Sequence, residues 1–131
     1  TISASPAFEG TTMTIDAASL TGADGLIETA KLGAVLRISK ADLAKIAGLS
    51  REAVTKTARL NSPATQARLR DIVDILVRVL PWSGSLPQAL AWYRAQPLPS
   101  FGDMTAQDLV QQGRARDVMA YLSRIAAGGY A

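Results

Sequence analysis

The sequence predicts an all-α protein. Apolar residues recur at helical spacing along most of the chain after residue 23, and no stretch alternates with the two-residue period of a strand. Ser, Thr, Gly and Pro stand at the points where these helical stretches would begin and end. A length of 131 residues suits one domain with a sizeable core or two very small ones.

The first elements are predicted before residue 50. Residues 1–23 have no periodic apolar stripe and are expected to be disordered or only loosely ordered. A first helix is predicted over residues 24–38, although glycines interrupt it. Ser39, with Asp42 three residues later, predicts a capping box at the start of a short helix that Gly48 ends.

A long helix over residues 63–80 is expected to be the central core element. Ser62 followed by Pro63 favours a helix start, because the first turn does not need the N–H that proline lacks. Pro81 is expected to stop the helix. Its predicted apolar face comprises Leu69, Ile72, Val73, Leu76, Val79 and Leu80, with Ile75 and Val77 widening the arc.

Three shorter helices are predicted after Pro81. The first should bury Leu86, Ala89, Leu90 and Tyr93. Thr105 and Asp108 predict a capping box for the second, which Gly113 ends. The third is predicted from Arg114 to a stop at Gly128, with an apolar face of Ala115, Val118, Met119, Leu122, Ile125 and Ala126.

Composition excludes several classes of chemistry. Cysteine and histidine are both absent, which excludes disulfides, imidazole and thiolate catalysis, and zinc sites built on those ligands. Asp71, Asp74 and Arg78 share a helical face, and we interpret Asp74 and Arg78 as an exposed ion pair rather than part of a site. We therefore predict no catalytic residues, no metal ligands and no cofactor.

No apolar run approaches the roughly 18 residues of a membrane span, and the pattern of a secretory signal is missing. A cytoplasmic location without membrane attachment is therefore expected. Charge is unevenly distributed: residues 1–30 carry four acids and no base, whereas residues 31–80 carry ten bases against four acids. The positive middle favours a polyanionic partner, and it is also typical of an ordinary solvated surface.

Residues 40–59 have the spacing of a helix-turn-helix. Gly48 suits a turn that needs a left-handed backbone. Ser50 can cap the second helix, in which Val54 is expected to point inward. Thr57 departs from the pattern, because an apolar residue is usual at that position.

The second helix of this pair is the predicted DNA-binding element. Its candidate contacts are Ser50, Arg51, Thr55, Lys56 and Arg59. Arg51 suits a base edge, whereas Lys56 and Arg59 suit phosphates. A helical hairpin with a solvated basic face would show the same pattern, and both interpretations stay open.

Aromatic residues concentrate in one proline-punctuated stretch. Trp82, Trp92, Tyr93 and Phe101 all lie within it. Core packing explains each of them, since large aromatic side chains are usually mostly buried. A protein-binding face is the second interpretation, because Trp and Tyr are enriched at interfaces, and the two can both hold.

Taken in order, these segments resemble the Xre/MbcA/ParS antitoxin family. The resemblance covers residues 25–131 and rests on the helix-turn-helix, the long helix ending in Leu80-Pro81, the stretch Pro97-Leu98-Pro99-Ser100-Phe101-Gly102, and an ending in Gly-Gly, an aromatic and a small residue. It implies a helix-turn-helix region 24–80 and a small toxin-binding domain 81–131, which follow the segment 1–23 that composition predicts to be loosely ordered.

The resemblance implies an antitoxin of a type II toxin–antitoxin pair. Its partner would be a RES-domain toxin that consumes NAD or uses it as an ADP-ribose donor. The C-terminal segment of the antitoxin would block the NAD pocket of the toxin, and the helix-turn-helix would repress the shared operon by binding operator DNA. A homodimer within a toxin–antitoxin hetero-oligomer is expected.

Particular residues follow from the match. Gly128, Gly129, Tyr130 and Ala131 correspond to the blocking tail. Within the matching toxin-binding domain lie Phe101, Gly102 and Arg124, to which the aromatic stretch adds Trp92. The Tyr130 ring beside the terminal carboxylate would mimic the flat rings and negative charge of NAD. Gly128 and Gly129 would let the backbone pass through a narrow entrance to the NAD pocket.

Two other classes of function compete with this expectation. The first is a stand-alone helix-turn-helix transcriptional regulator whose C-terminal helices dimerise or sense a ligand. The second, an enzyme, is disfavoured because the chain offers no catalytic constellation. A toxin gene beside this one would discriminate an antitoxin from a stand-alone regulator.

Overall fold

The computed structural model describes residues 17–128. Within them the chain is helical and forms no strand, which confirms the all-α class. The elements are α1 (Ala17–Leu20), α2 (Thr29–Leu36), α3 (Lys40–Ala47), α4 (Arg51–Thr55), α5 (Thr57–Leu60), α6 (Pro63–Ser83), α7 (Leu86–Ala95), a 3₁₀ turn (Pro99–Phe101), α8 (Ala106–Gln111) and α9 (Ala115–Ala126). None of these helices is long and apolar enough to cross a bilayer.

Hydroxyl side chains start most of these helices. Ser39, Ser50, Ser62 and Thr105 each accept a hydrogen bond from the backbone N–H three residues later, as predicted. Both halves of the predicted capping box form at Thr105 and Asp108. The capping box predicted at Ser39 and Asp42 is wrong in one half: the Ser39 hydroxyl accepts from the Asp42 N–H, but the Asp42 carboxylate does not accept from the Ser39 N–H. These bonds are local, so the sequence alone specifies them.

The region before α2 differs from the prediction. A helix over 24–38 is wrong, because α2 begins only at Thr29. Gly25 has a φ of +80°, and the Asp24 carboxylate accepts from the Leu26 N–H, which together form a turn instead. Within the segment 1–23, residues 17–20 form α1 and bury Leu20, while residues 1–16 lie outside the described range.

The prediction that Pro81 stops the long helix is wrong. Helix α6 continues through Pro81 to Ser83, and Gly84 caps its end. Proline removes the N–H that would bond the Val77 carbonyl. Both Val77 and Pro81 lie on the exposed face of α6, where water can reach that carbonyl. The expectation that Val77 widens the apolar arc is wrong, since its side chain is 40% exposed.

The core surrounds α6, as predicted. Leu69, Ile72, Val73, Ile75, Leu76 and Val79 are all buried. Helix α7 contributes the four residues predicted for its buried face, and α8 and α9 pack against α7 and α6. The core cluster contains residues from both sides of position 81.

The C-terminal end of α3 lies at the centre of the helix packing. Arg68 of α6 donates from Nη1 to the carbonyl of Ala47 at 3.0 Å and to the carbonyl of Val110 at 2.8 Å. One guanidinium therefore caps two helices, α3 and α8, at their negative C-terminal ends. A Cβ at Gly48 would lie 2.7 Å from Nη1 of Arg68 and 2.8 Å from Cα of Gln111, so glycine is needed there.

Two further side chains complete this end of α3. The Tyr93 hydroxyl donates to the Ile46 carbonyl, and Nε2 of Gln111 donates to the Lys45 carbonyl at 2.7 Å. Burial raises the pKa of the Tyr93 hydroxyl, and the nearby Asp71 carboxylate adds to the rise. We call Arg68, Tyr93 and Gln111 the α3 cap, since they bond the last three carbonyls of that helix.

Candidate functional site

A compact loop presents the first candidate residue, Phe101. The buried Leu98 anchors this loop: its N–H donates to Met104, and its carbonyl accepts from the N–H groups of Phe101 and Asp103. Gly102 and Asp103 have φ angles of 65° and 67°, so the backbone reverses over two consecutive left-handed residues. Phe101 is left half-buried, packed against the core on one side.

Helix α9 brings a second aromatic residue to Phe101. The rings of Phe101 and Tyr121 meet edge to face, with centroids 6.1 Å apart and planes at 69°. Arg114, which precedes α9, lies 5.7 Å from the Phe101 centroid, and Arg124 lies 5.8 Å from the Tyr121 centroid. The order is cation, ring, ring, cation. We call these four residues the arginine–aromatic ladder.

The ladder is positively charged and only partly covered. Nε of Arg114 also bonds the Asp117 carboxylate at 2.8 Å, which fixes the guanidinium over the ring while both side chains stay more than 40% exposed. Arg124 is exposed, and Tyr121 is half-buried. Such a surface can stack on planar groups and bind carboxylates or phosphates, as arginine and aromatic residues commonly do at protein interfaces.

The structure brings some of the predicted toxin-binding residues together. Phe101 and Arg124 belong to one ladder, and Gly102 directly follows Phe101. Trp92 lies on α7, partly buried against the core, and takes no part in the ring and cation contacts of the ladder. Gly128 is exposed at the end of α9, with a φ of +95°.

The other predicted tail residues, Gly129, Tyr130 and Ala131, lie outside the described residues. Sequence reasoning missed Tyr121 and Arg114. A signal for Tyr121 was present: it precedes Arg124 by three positions and therefore shares a helix face with it. The contact of Arg114 with Phe101 depends on how the loop packs, which local spacing does not reveal.

The predicted helix-turn-helix is not confirmed. Helix α3 and the left-handed Gly48 turn are present, but the second helix ends at Thr55. Lys56 has extended backbone angles, and a separate short helix, α5, follows from Thr57 to Leu60. A recognition helix of five residues is short, so we attribute the break to the stretch around Thr57, where the sequence departs from the pattern.

The five candidate DNA contacts are all exposed, but three have partners within the chain. The Ser50 hydroxyl caps α4, and the Thr55 hydroxyl donates to the Arg51 carbonyl. Arg59 pairs with Glu52 at 3.2 Å. This ion pair is exposed and weak, so another anion can replace the Glu52 carboxylate. Of these five candidates, Arg51 and Lys56 are the two whose charged groups have no hydrogen-bond or ion-pair partner among the described residues.

The carboxylates of α6 form no metal site. Among residues 17–128, no group of three metal-ligating side chains occurs. The predicted Asp74–Arg78 ion pair is wrong, because Arg78 reaches across to the Ser123 hydroxyl of α9 at 3.0 Å. Partial burial raises the pKa of Asp71. The Arg68 guanidinium acts in the opposite direction, and the Asp74 carboxylate adds to the rise.

Comparison with protein-family models, curated proteins and solved structures finds no match for this chain.

Proposed function

We propose that this chain is an antitoxin that binds a RES-domain toxin through the arginine–aromatic ladder and the C-terminal residues that follow α9. In this proposal the tail blocks the NAD pocket of the toxin, and the ladder holds the toxin in place. The proposal rests on the sequence resemblance together with one structural observation: Tyr121 and Arg124 of the ladder lie on α9, the helix from which the tail continues.

The physical properties of the ladder suit a protein partner. Arginine and aromatic residues dominate the binding energy of many interfaces when they are held rigidly and partly buried. Phe101 and Tyr121 are each packed against the core, so little conformational entropy remains to be lost on binding. Arg124 lies within one turn of the end of α9, which places a cation close to the start of the proposed blocking tail.

Operator binding is the second part of the proposal. It would depend on Arg51 and Lys56, the two candidate DNA contacts whose charged groups are exposed and have no intramolecular partner among the described residues. Because α4 is short, we expect the chain to bind operator DNA more weakly than it binds the toxin. We expect Arg51→Ala to weaken operator binding, and Lys56→Ala to reduce its salt dependence, since a phosphate contact is lost.

Co-expression with a RES-domain toxin encoded beside this gene tests the central claim. Deletion of residues 128–131 should leave the melting temperature nearly unchanged, because Gly128 is exposed and contributes no core. It should abolish rescue of cells that express the toxin. Rescue by the truncated protein would refute the blocking role.

Two single substitutions test the ladder. Tyr121→Ala should weaken the toxin complex about 30-fold, which is the usual loss when a central aromatic anchor is truncated. Arg116→Ala is a matched control, because Arg116 is an exposed α9 residue that is not part of the ladder. Equal losses for the two variants would contradict the ladder as the binding surface.

Phe101 and Trp92 are distinguished by thermal melting of the free protein. If Phe101 is an interface residue, Phe101→Ala should weaken toxin binding with a modest change in melting temperature. Trp92 packs against the core without joining the ladder, so Trp92→Ala should lower stability by about 3 kcal/mol or more. If Trp92→Ala keeps a near-normal melting temperature but loses toxin binding, Trp92 is an interface residue rather than a core residue.

A further inference from the structure

An apolar groove of about 590 Å³ lies between α2 and α7, formed by residues outside the arginine–aromatic ladder. Its apolar lining includes Val35, Leu36, Leu86, Pro87, Leu90 and Ala91. Val35 is 39% exposed, and Pro87 and Ala91 are also exposed, so the groove opens to solvent along its length.

Two arginines, Arg37 and Arg94, line the same groove. No carboxylate of the described residues lies within salt-bridge distance of either one, and neither α2 nor α7 contains an acidic residue. The groove therefore combines an apolar lining with unneutralised positive charge. An occupant that fits it must offer apolar side chains and negative charge together.

Arg37 occupies its position at an energetic cost. It ends α2 with φ 59° and ψ 45°, a left-handed conformation that glycine or asparagine usually supplies at a helix end. A β-carbon in this conformation lies too close to the neighbouring carbonyl oxygen, so the position is strained. A side chain that keeps such a position and lines a groove is a candidate for a binding role.

We propose that the α2–α7 groove binds an amphipathic helix of a protein partner, with apolar anchors in the groove and acidic residues against Arg37 and Arg94. The lining positions on α7 run from Leu86 to Arg94, which spans about 12 Å at 1.5 Å per residue. That length matches about two turns of a helix with anchors at i, i+4 and i+7.

The open shape and the charge both favour a helix over other occupants. A small anionic amphiphile such as a fatty acid needs a site that covers most of its surface, whereas this groove is open to solvent at Val35, Pro87 and Ala91. An amphipathic helix can lie in such a groove with its polar face in water, so that face does not need to be covered. A second copy placed symmetrically would bring Arg37 and Arg94 of both copies to one interface, where like charges repel.

Labelled synthetic peptides of about 14 residues test the proposal by fluorescence anisotropy with the full chain. The first peptide carries Leu at i, i+4 and i+7 with flanking Glu, and the second has Lys in place of each Glu. We expect the Glu peptide to bind at least tenfold more tightly and to shift the backbone amide resonances of Val35, Leu90 and Ala91. Equal affinity for both peptides, or shifts elsewhere, would overturn the proposal.

Charge reversal in the protein gives the sharper test. The double variant Arg37→Glu, Arg94→Glu should reverse the preference and bind the Lys peptide more tightly. The double variant Arg70→Glu, Arg116→Glu is the matched control: it reverses two exposed arginines outside the groove and should leave both affinities within twofold. A control that changes the affinities as much as the groove variant would show non-specific charge attraction and refute the site.

Ala91→Trp blocks the groove without touching the core, since Ala91 is exposed. It should reduce binding of the Glu peptide more than tenfold while the melting temperature stays normal. Two results would assign the groove to another occupant and overturn the proposal. One is laurate binding to the same residues while the Glu peptide does not bind. The other is self-association in sedimentation experiments that Ala91→Trp abolishes.

Discussion

Replacing Arg68 with alanine should destabilise the whole protein, because this one side chain holds two helix ends. Its guanidinium donates to the carbonyls of Ala47 and Val110, and both of these residues are fully buried. Without Arg68, the Ala47 carbonyl is left without its side-chain donor, and the Val110 carbonyl keeps only the Gly113 N–H at 2.9 Å. Both carbonyls then carry the negative partial charge of a helix C-terminus without a cation beside them. Water reaches such buried groups poorly, so the loss is not recovered by hydration.

The magnitude follows from the two bonds. A hydrogen bond to a charged donor contributes about 1.5 to 3 kcal/mol. The two bonds share one guanidinium that is itself half-buried, so we take the lower end for each and expect Arg68→Ala to cost about 3 kcal/mol. For a chain of this size, that loss lowers the melting temperature by about 10 °C.

Thermal unfolding followed by circular dichroism measures this loss. Arg70→Ala is the matched control, because Arg70 lies on the same helix, is exposed and makes one long bond of 3.3 Å to the Gly25 carbonyl. It should change the melting temperature by less than about 2 °C. Arg68→Lys should be intermediate, since an ammonium is a compact point charge without the fork of arginine. If Arg68→Ala melts like Arg70→Ala, the assignment of Arg68 as a double cap is wrong.

Three further predictions concern the same region. Gly48→Ala should lower the melting temperature about as much as Arg68→Ala, because its Cβ would collide with Arg68 and Gln111; unchanged melting would refute that crowding. Tyr93 has a raised pKa, so its contribution to stability should be complete below its ordinary pKa of about 10 and lost at higher pH. The melting temperature of the unmodified protein should therefore fall as the pH rises above 10, and Tyr93→Phe should reduce this fall. An unchanged dependence of melting temperature on pH would contradict this. Asp71 also has a raised pKa, so the folded state favours its protonated carboxyl; this contribution to stability is present below the ordinary pKa of 3.8 and is lost as the pH rises. Asp71→Asn should therefore raise the melting temperature at neutral pH, and a lowered one would show that the attraction between Asp71 and Arg68 dominates.

The sequence predicted those features that depend on near neighbours. The caps at Ser39, Ser50, Ser62 and Thr105 are bonds across three residues, so spacing alone specifies them. The buried face of α6 followed from its apolar period, since a single helix face must pack against the core.

The errors have physical reasons. Pro81 is tolerated because it lies on the exposed face of α6, and exposure is a tertiary property. Arg78 bonds Ser123, which is distant in sequence, rather than the near neighbour Asp74. In the ladder, Phe101 and Arg124 were predicted as binding residues, but the ring of Tyr121 that connects them becomes evident only once the loop and α9 pack together.

The α3 cap also constrains the order in which the chain can fold. Its bonds join residues separated by 21, 47 and 66 positions, so the last turn of α3 is completed only after these loops have closed. During synthesis, α3 leaves the ribosome long before Gln111 does. We therefore expect the end of α3 to stay open to hydrogen exchange in the nascent chain and to become protected only when α8 docks.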